Sequence, residues 1–116
     1  MLRVIKSFQY AFAGCSFLLR TQTNAWVHLL ATVTLFIVCC FFHLSTTEVV
    51  LLIIATASVW VAELFNTAVE QVIDLLHPQW HPRAGRVKDL AAAAVLVTAL
   101  SALAVAAFIF IPKIIH

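Results

Sequence analysis

The stretch VVLLIIATASVWVA, Val49 to Ala62, runs without a break into ELFNTAVEQVID, Glu63 to Asp74. Fourteen uncharged and mostly apolar residues therefore lead straight into a polar segment. On a helix turning by about 100° per residue, Glu63, Asn66, Thr67, Glu70 and Asp74 fall on one stripe. Such a stripe at the end of a membrane helix is costly to maintain, which marks it as a candidate functional site.

The remaining composition fixes the class. The chain has 116 residues, 64% of them hydrophobic and only 10% charged, with a mean hydropathy of +1.06. A soluble domain of this length needs far more charged surface. Two glycines and three prolines supply little of the turn chemistry of a barrel or sandwich. The expected architecture is an all-α integral membrane protein, one domain spanning 1–116, with no repeat or linker. All five acids lie between Glu48 and Asp89, while Arg3, Lys6 and Arg20 form one basic group and Arg83, Arg86 and Lys88 another. Clusters this small orient a membrane protein and do not suit a nucleic-acid partner. Cys15, Cys39 and Cys40 read as small buried hydrophobes, since their number is odd and no CxxC occurs.

Three apolar runs suggest spans at about 25–42, 48–76 (including an extension past the bilayer) and 88–111, because a helix needs ~20 residues to cross and open backbone cannot be satisfied in hydrocarbon. Residues 43–48 form a short connection, with Thr46 or Thr47 as the N-cap of the second span. Residues 77–86 form the other, where Pro78, Pro82 and Gly85 end helicity. The first connection has no Lys or Arg, so the N-terminus and the 77–88 loop are assigned to the cytoplasm and the tail from Lys113 faces outward. Residues 1–20 read as an amphipathic surface helix: Arg3, Lys6, Tyr10 and Gly14 share a stripe, with Val4, Ile5, Phe8, Phe12 and Leu19 apolar. A signal peptide fits less well, because Gln9 and Tyr10 interrupt the apolar run and Arg20 follows it.

If the second span enters hydrocarbon near Val49, Glu63 lies ~21 Å in and Glu70 ~31 Å in, at ~1.5 Å per residue. Glu63 is then desolvated, which makes a carboxylate a better base. Glu70 and Asp74, nearer water, are oxygen ligands suited to Mg²⁺. Lys88 and Asp89 are expected to open the third span, offering free N–H groups to phosphate beside Arg83 and Arg86. Base, metal carboxylates and cations together make a phosphoryl-transfer site, although no Walker A or kinase Gly-rich loop is present. Asn66 and Thr67 are also ordinary interhelical packing residues. His28 reads as a satisfied helix histidine, Trp26 as an interface anchor, Trp60 as packing, and Trp80 as a candidate nucleotide platform.

ELFNTAVEQVID (Glu63–Asp74), followed by AGRVKDLAAAAV (Ala84–Val95), resembles the signature of the bacterial diacylglycerol kinase / undecaprenol kinase family. KSFQYAFAG (Lys6–Gly14) and NAWVH (Asn24–His28) match in position, so the likeness covers nearly the whole chain. The resemblance implies a homotrimeric bundle in the bacterial cytoplasmic (inner) membrane, each subunit carrying a surface helix and three transmembrane helices, with active sites shared between subunits on the cytoplasmic side. It implies ATP and Mg²⁺ as cofactors and a membrane lipid alcohol, diacylglycerol or undecaprenol, as substrate. By position, Glu63 is the general base and Asn66 supports it. Glu70 binds Mg²⁺ and ATP. Gln79, Trp80, His81, Lys88 and Asp89 contact ATP, and Arg3 and Tyr10 close over nucleotide and lipid. One departure stands out: the family's usual Thr-Glu-x-Asn is here Thr21-Gln22-Thr23-Asn24, so Gln22 offers the metal an amide oxygen and no charge. A non-catalytic member and, from another class, a small proton-coupled transporter with Glu63 as carrier are the alternative readings.

Overall fold

A computed structural model describes residues 1–116 and is helical throughout: α1 (Leu2–Thr21), α2 (Thr23–Cys39), α3 (Thr46–Leu76) and α4 (Pro82–Ile115). Helices α3 and α4, with 31 and 34 residues, are long and apolar enough to cross a membrane. At ~1.5 Å per residue α3 measures ~46 Å, well beyond the ~30 Å of a hydrocarbon core. The excess is its polar end. Helix α2 has only 17 residues and follows α1 at a bend of 106°. A single extended residue, Gln22 (φ −112°, ψ 115°), ends α1 and caps α2. The indole Nε1 of Trp26 donates to the Leu19 carbonyl at 2.7 Å, so the expected interface anchor also ties the elbow.

Several boundaries differ from the sequence expectation. Helix α2 stops at Cys39, three residues short of Phe42, where the backbone tightens: Cys40 and Phe41 bond to the carbonyls of Ile37 and Val38. Ser45 caps α3, not Thr46 or Thr47. Its Oγ accepts from the Glu48 N–H at 3.2 Å, and Glu48 Oε1 accepts from the Ser45 N–H at 2.9 Å. Only Ser45 has a glutamate three residues on, the spacing a capping box requires. Helix α4 begins at Pro82, six residues before Lys88. Pro82 starts the helix because its missing N–H is one that a first turn leaves unpaired anyway. Gly85 and Arg86 are therefore helical, and the His81 Nδ1 accepts from the Arg83 N–H at 3.1 Å.

Helices α3 and α4 form an antiparallel hairpin clamped at both ends. Lys88 Nζ meets Asp74 Oδ1 at 2.6 Å, and Lys113 Nζ meets Glu48 Oε1 at 3.2 Å. Near the Lys113 end, Leu52, Ile109 and Phe110 make a small core against Leu35, Val38 and Phe42, with the Phe42 and Phe110 rings edge-on at 5.2 Å. Only nine of 116 residues are buried, so most of the apolar surface is left for hydrocarbon or another chain to cover. The cysteines are free, and contrary to expectation Cys15 and Cys40 are exposed. Removing the cap hydroxyl with Ser45→Ala is expected to cost about 1 kcal/mol. Denaturant unfolding in detergent micelles measures it, and an unchanged midpoint would contradict the cap.

Candidate active site

The interior of α2 meets α3 through a ladder of polar contacts. The helices run antiparallel, so numbers rise along α2 as they fall along α3. Gln22 Nε2 donates to Glu70 Oε2 at 3.2 Å. His28 Nε2 lies 3.4 Å from Glu63 Oε2. Trp60 Nε1 donates to Thr32 Oγ1 at 3.0 Å. Along α3 itself, Asn66 Nδ2 donates to the other Glu70 oxygen, Oε1, at 3.3 Å. Glu70 is thus held by two amides, one from its own helix and one from the elbow.

The stripe predicted from spacing faces inward. Glu63, Thr67 and Asn66 are buried, Glu63 to 1% exposure. Both Glu63 oxygens, Asn66 Oδ1 and Thr67 Oγ1 have no hydrogen-bond partner. The His28 contact falls within ion-pair distance without hydrogen-bond geometry. Buried polar atoms are rarely left unpaired, and four of them at one junction describe a site built to receive something.

Asp74 has a partner that spacing along α3 does not reveal: Lys88 engages its Oδ1 at 2.6 Å from across the hairpin. Lys88 and Asp89 do not open α4. They lie in its second turn, where Lys88 is half-buried and Asp89 is exposed without a partner. Around the Asp74–Lys88 pair, a hollow of about 180 Å³ is lined by His77, Gln79, Trp80, His81 and Gly85. Trp80 is 82% exposed. A Cβ at Gly85 would sit 3.6 Å from its indole nitrogen, at ordinary van der Waals contact, so the ring lies close over the start of α4. The His77 and His81 rings are 5.1 Å apart. A second, mostly apolar hollow of about 160 Å³ opens between α1 and α3, bounded by Gly14, Phe17, Leu18, Leu64, Thr67 and Gln71. Arg3, in the first turn of α1, and Tyr10, midway along it, are exposed.

Two features escaped sequence reasoning. His28 is the cross-helix neighbour of Glu63, and Trp60 packs edge-on against it with ring centroids 6.4 Å apart. Part of the signal was present: His28 and Thr32 lie one turn apart on α2, as do Trp60 and Glu63 on α3, but spacing along one helix does not say that the two pairs meet. Gln22 also behaves differently from its assignment, because its amide nitrogen turns toward Glu70 where an amide oxygen was expected to face metal.

Nowhere do three or more His, Cys, Asp or Glu side chains converge on a point that would hold a metal ion. One carboxylate flanked by two amides is nonetheless compatible with Mg²⁺, which usually takes one or two carboxylates and completes its shell with water and phosphate oxygens.

Helices long and apolar enough to cross a membrane, with a buried carboxylate beside an acid–amide cluster, mark an integral membrane protein with a polar site between its helices. The family model for prokaryotic diacylglycerol kinase matches residues 9–110, and the chain belongs to that family. It is 35% identical to a diacylglycerol kinase of Synechocystis over 97% of this chain and 65% of that protein. It is 34% identical to the undecaprenol kinase of Bacillus subtilis over 97% of this chain and 91% of the relative. It is 28% identical to the diacylglycerol kinase of Escherichia coli K12, covering 86% and 82%. The chain thus spans just under two thirds of the Synechocystis relative and most of the other two. Neither the transporter nor the non-catalytic reading gains support from these relatives. Beyond Trp60 the contacts buried between helices are apolar, Leu52 against Ile109 and Phe110.

Gln22→Glu would place a second carboxylate 3.2 Å from Glu70. With divalent ions chelated, this variant should melt below the wild type. With Mg²⁺ at a hundred times its dissociation constant it should gain about 2.7 kcal/mol. Thermal unfolding in detergent with and without Mg²⁺ reads both. A stability indifferent to Mg²⁺ would show that this pair of positions cannot hold the ion.

Proposed function

We propose that the protein transfers the γ-phosphate of ATP to the hydroxyl of a membrane lipid alcohol, diacylglycerol or undecaprenol, at the cytoplasmic face of a bacterial inner membrane. The observation that carries this reading is Glu63: a carboxylate exposed by 1%, both oxygens without a hydrogen bond, one helical turn from the Asn66–Glu70 pair. Glu63 takes the proton of the lipid hydroxyl as its oxygen attacks the γ-phosphorus in line. The bond from that phosphorus to the bridging oxygen breaks, and ADP leaves. Little covalent chemistry falls to the protein in such a transfer, so positioning and charge stabilisation do most of it.

Glu70, with Asn66 and Gln22 on its two oxygens, is the candidate for holding the nucleotide's Mg²⁺, which when bound spreads the charge of the phosphates. Lys88, drawn toward the site by Asp74, supplies positive charge to them. The hollow bordered by Gln79, Trp80 and His81 is the candidate for the nucleotide itself, with Asp89 on the next turn. The α1–α3 hollow, apolar but for Thr67 and Gln71, suits the lipid end. Arg3 and Tyr10, exposed on α1, are the candidates for contacting bound nucleotide and lipid from that helix.

In this reading α2, α3 and α4 are the three spans and α1 lies on the surface. A homotrimer with sites shared between neighbours would cover apolar faces that one chain leaves open. Both diacylglycerol and undecaprenol kinases occur among the relatives, so both acceptors belong in the test. Wild-type protein in mixed micelles is expected to move label from γ-labelled ATP to at least one of them. Glu63→Gln should lower kcat by about 10²–10⁴-fold, the usual worth of a general base. Absence of transfer to either lipid would overturn the proposal.

A further inference from the structure

Of the side chains on other helices, His28 is the one that reaches the Glu63 carboxylate, with Nε2 3.4 Å from Oε2 and the imidazole 17% exposed. His28 is itself held. Its ring meets the Trp60 ring edge-on, with centroids 6.4 Å apart and planes at 68°. Thr32, one turn along α2, donates its hydroxyl to the His28 carbonyl at 2.7 Å and accepts from Trp60 Nε1 at 3.0 Å. Two cross-helix contacts therefore stack one turn apart, His28 on Glu63 and Thr32 on Trp60. Phosphate handling uses none of them, since Gln22, Asn66 and Glu70 lie toward the other end of the ladder.

A carboxylate with two free oxygens turns easily about its last side-chain bond, whose preference is broad. Anchoring one oxygen fixes where the other points. We propose that His28 is the positioning residue for Glu63: its Nε2–H holds Oε2 and leaves Oε1 turned to the lipid hydroxyl. The inference rests on the lipid-kinase reading above. The 3.4 Å separation is long for a hydrogen bond, and contacts of this kind shorten when substrate fills the site. Trp60 and Thr32 keep the imidazole plane and the adjacent backbone in place, so that Nε2 rather than Nδ1 faces Glu63.

The test compares His28→Ala, His28→Gln and His28→Asn with the wild type. The Gln amide nitrogen reaches about as far as imidazole Nε2, while Asn stops short at the position of Nδ1. His28→Ala should lose about 100-fold in kcat, the cost of a small misplacement of a reacting group, with KM for ATP essentially unchanged. His28→Gln should recover most of that loss and His28→Asn little of it. An infrared difference between the wild type and Glu63→Gln isolates the Glu63 carboxylate stretch. That band should move in His28→Ala and return in His28→Gln. A wild-type kcat in His28→Ala, equal defects in the Gln and Asn variants, or an unmoved carboxylate band would each overturn the assignment. If His28→Ala loses its thermal transition in detergent, the Gln–Asn pair decides. If the wild type phosphorylates neither lipid, the kinase reading fails, and the infrared comparison still decides whether His28 holds Glu63.

Discussion

Burial of the Glu63 carboxylate is the constraint around which the other helices are arranged. An acid taken out of water is strongly disfavoured unless neighbours compensate, and no neighbour here fully does. His28 comes near, Asn66 and Thr67 add polar atoms that are themselves unpaired, and Trp60 closes the side away from the elbow. The protein keeps an incompletely satisfied group in one of its most enclosed positions. Sites that depart from stabilising rules in this way are where function resides.

Stability is supplied elsewhere. The α3–α4 hairpin has an ion pair at each end and an apolar cluster near the end opposite the site. The α3 capping box and the Pro82 start set where these helices begin. At the other end, one extended residue turns the chain by 106°, and the same residue extends its amide to Glu70. Backbone geometry and site chemistry thus converge on Gln22. The rest of the surface is apolar and open, which makes hydrocarbon or a second copy of the chain part of what holds the protein together.

Much of this was legible in the sequence because periodicity and membrane length are strong signals. The inward stripe from Glu63 to Glu70, an N-terminal helix and the two long spans follow from apolar runs and a 3.6-residue repeat. Asp74 sits on the same stripe and is paired with Lys88. That partner lies across a hairpin, and spacing along one helix cannot reveal it. The start of α4 is less legible, because Pro82 and Gly85 read as helix-ending residues in sequence, whereas proline at a first turn begins a helix. His28 was passed over for a related reason. Its meaning depends on the register between α2 and α3, which only tertiary structure fixes.

That register carries an evolutionary cost. Gln22, His28 and Thr32 meet Glu70, Glu63 and Trp60 only while the number of residues between them is kept. One residue inserted between Gln22 and His28 would swing everything on one side of the insertion by about 100° relative to the other. Side chains along this segment can therefore drift singly, each affecting its own rung, but its length cannot. Between α2 and α3, insertions and deletions should be confined to the turn that precedes the Ser45 cap, where no rung is attached.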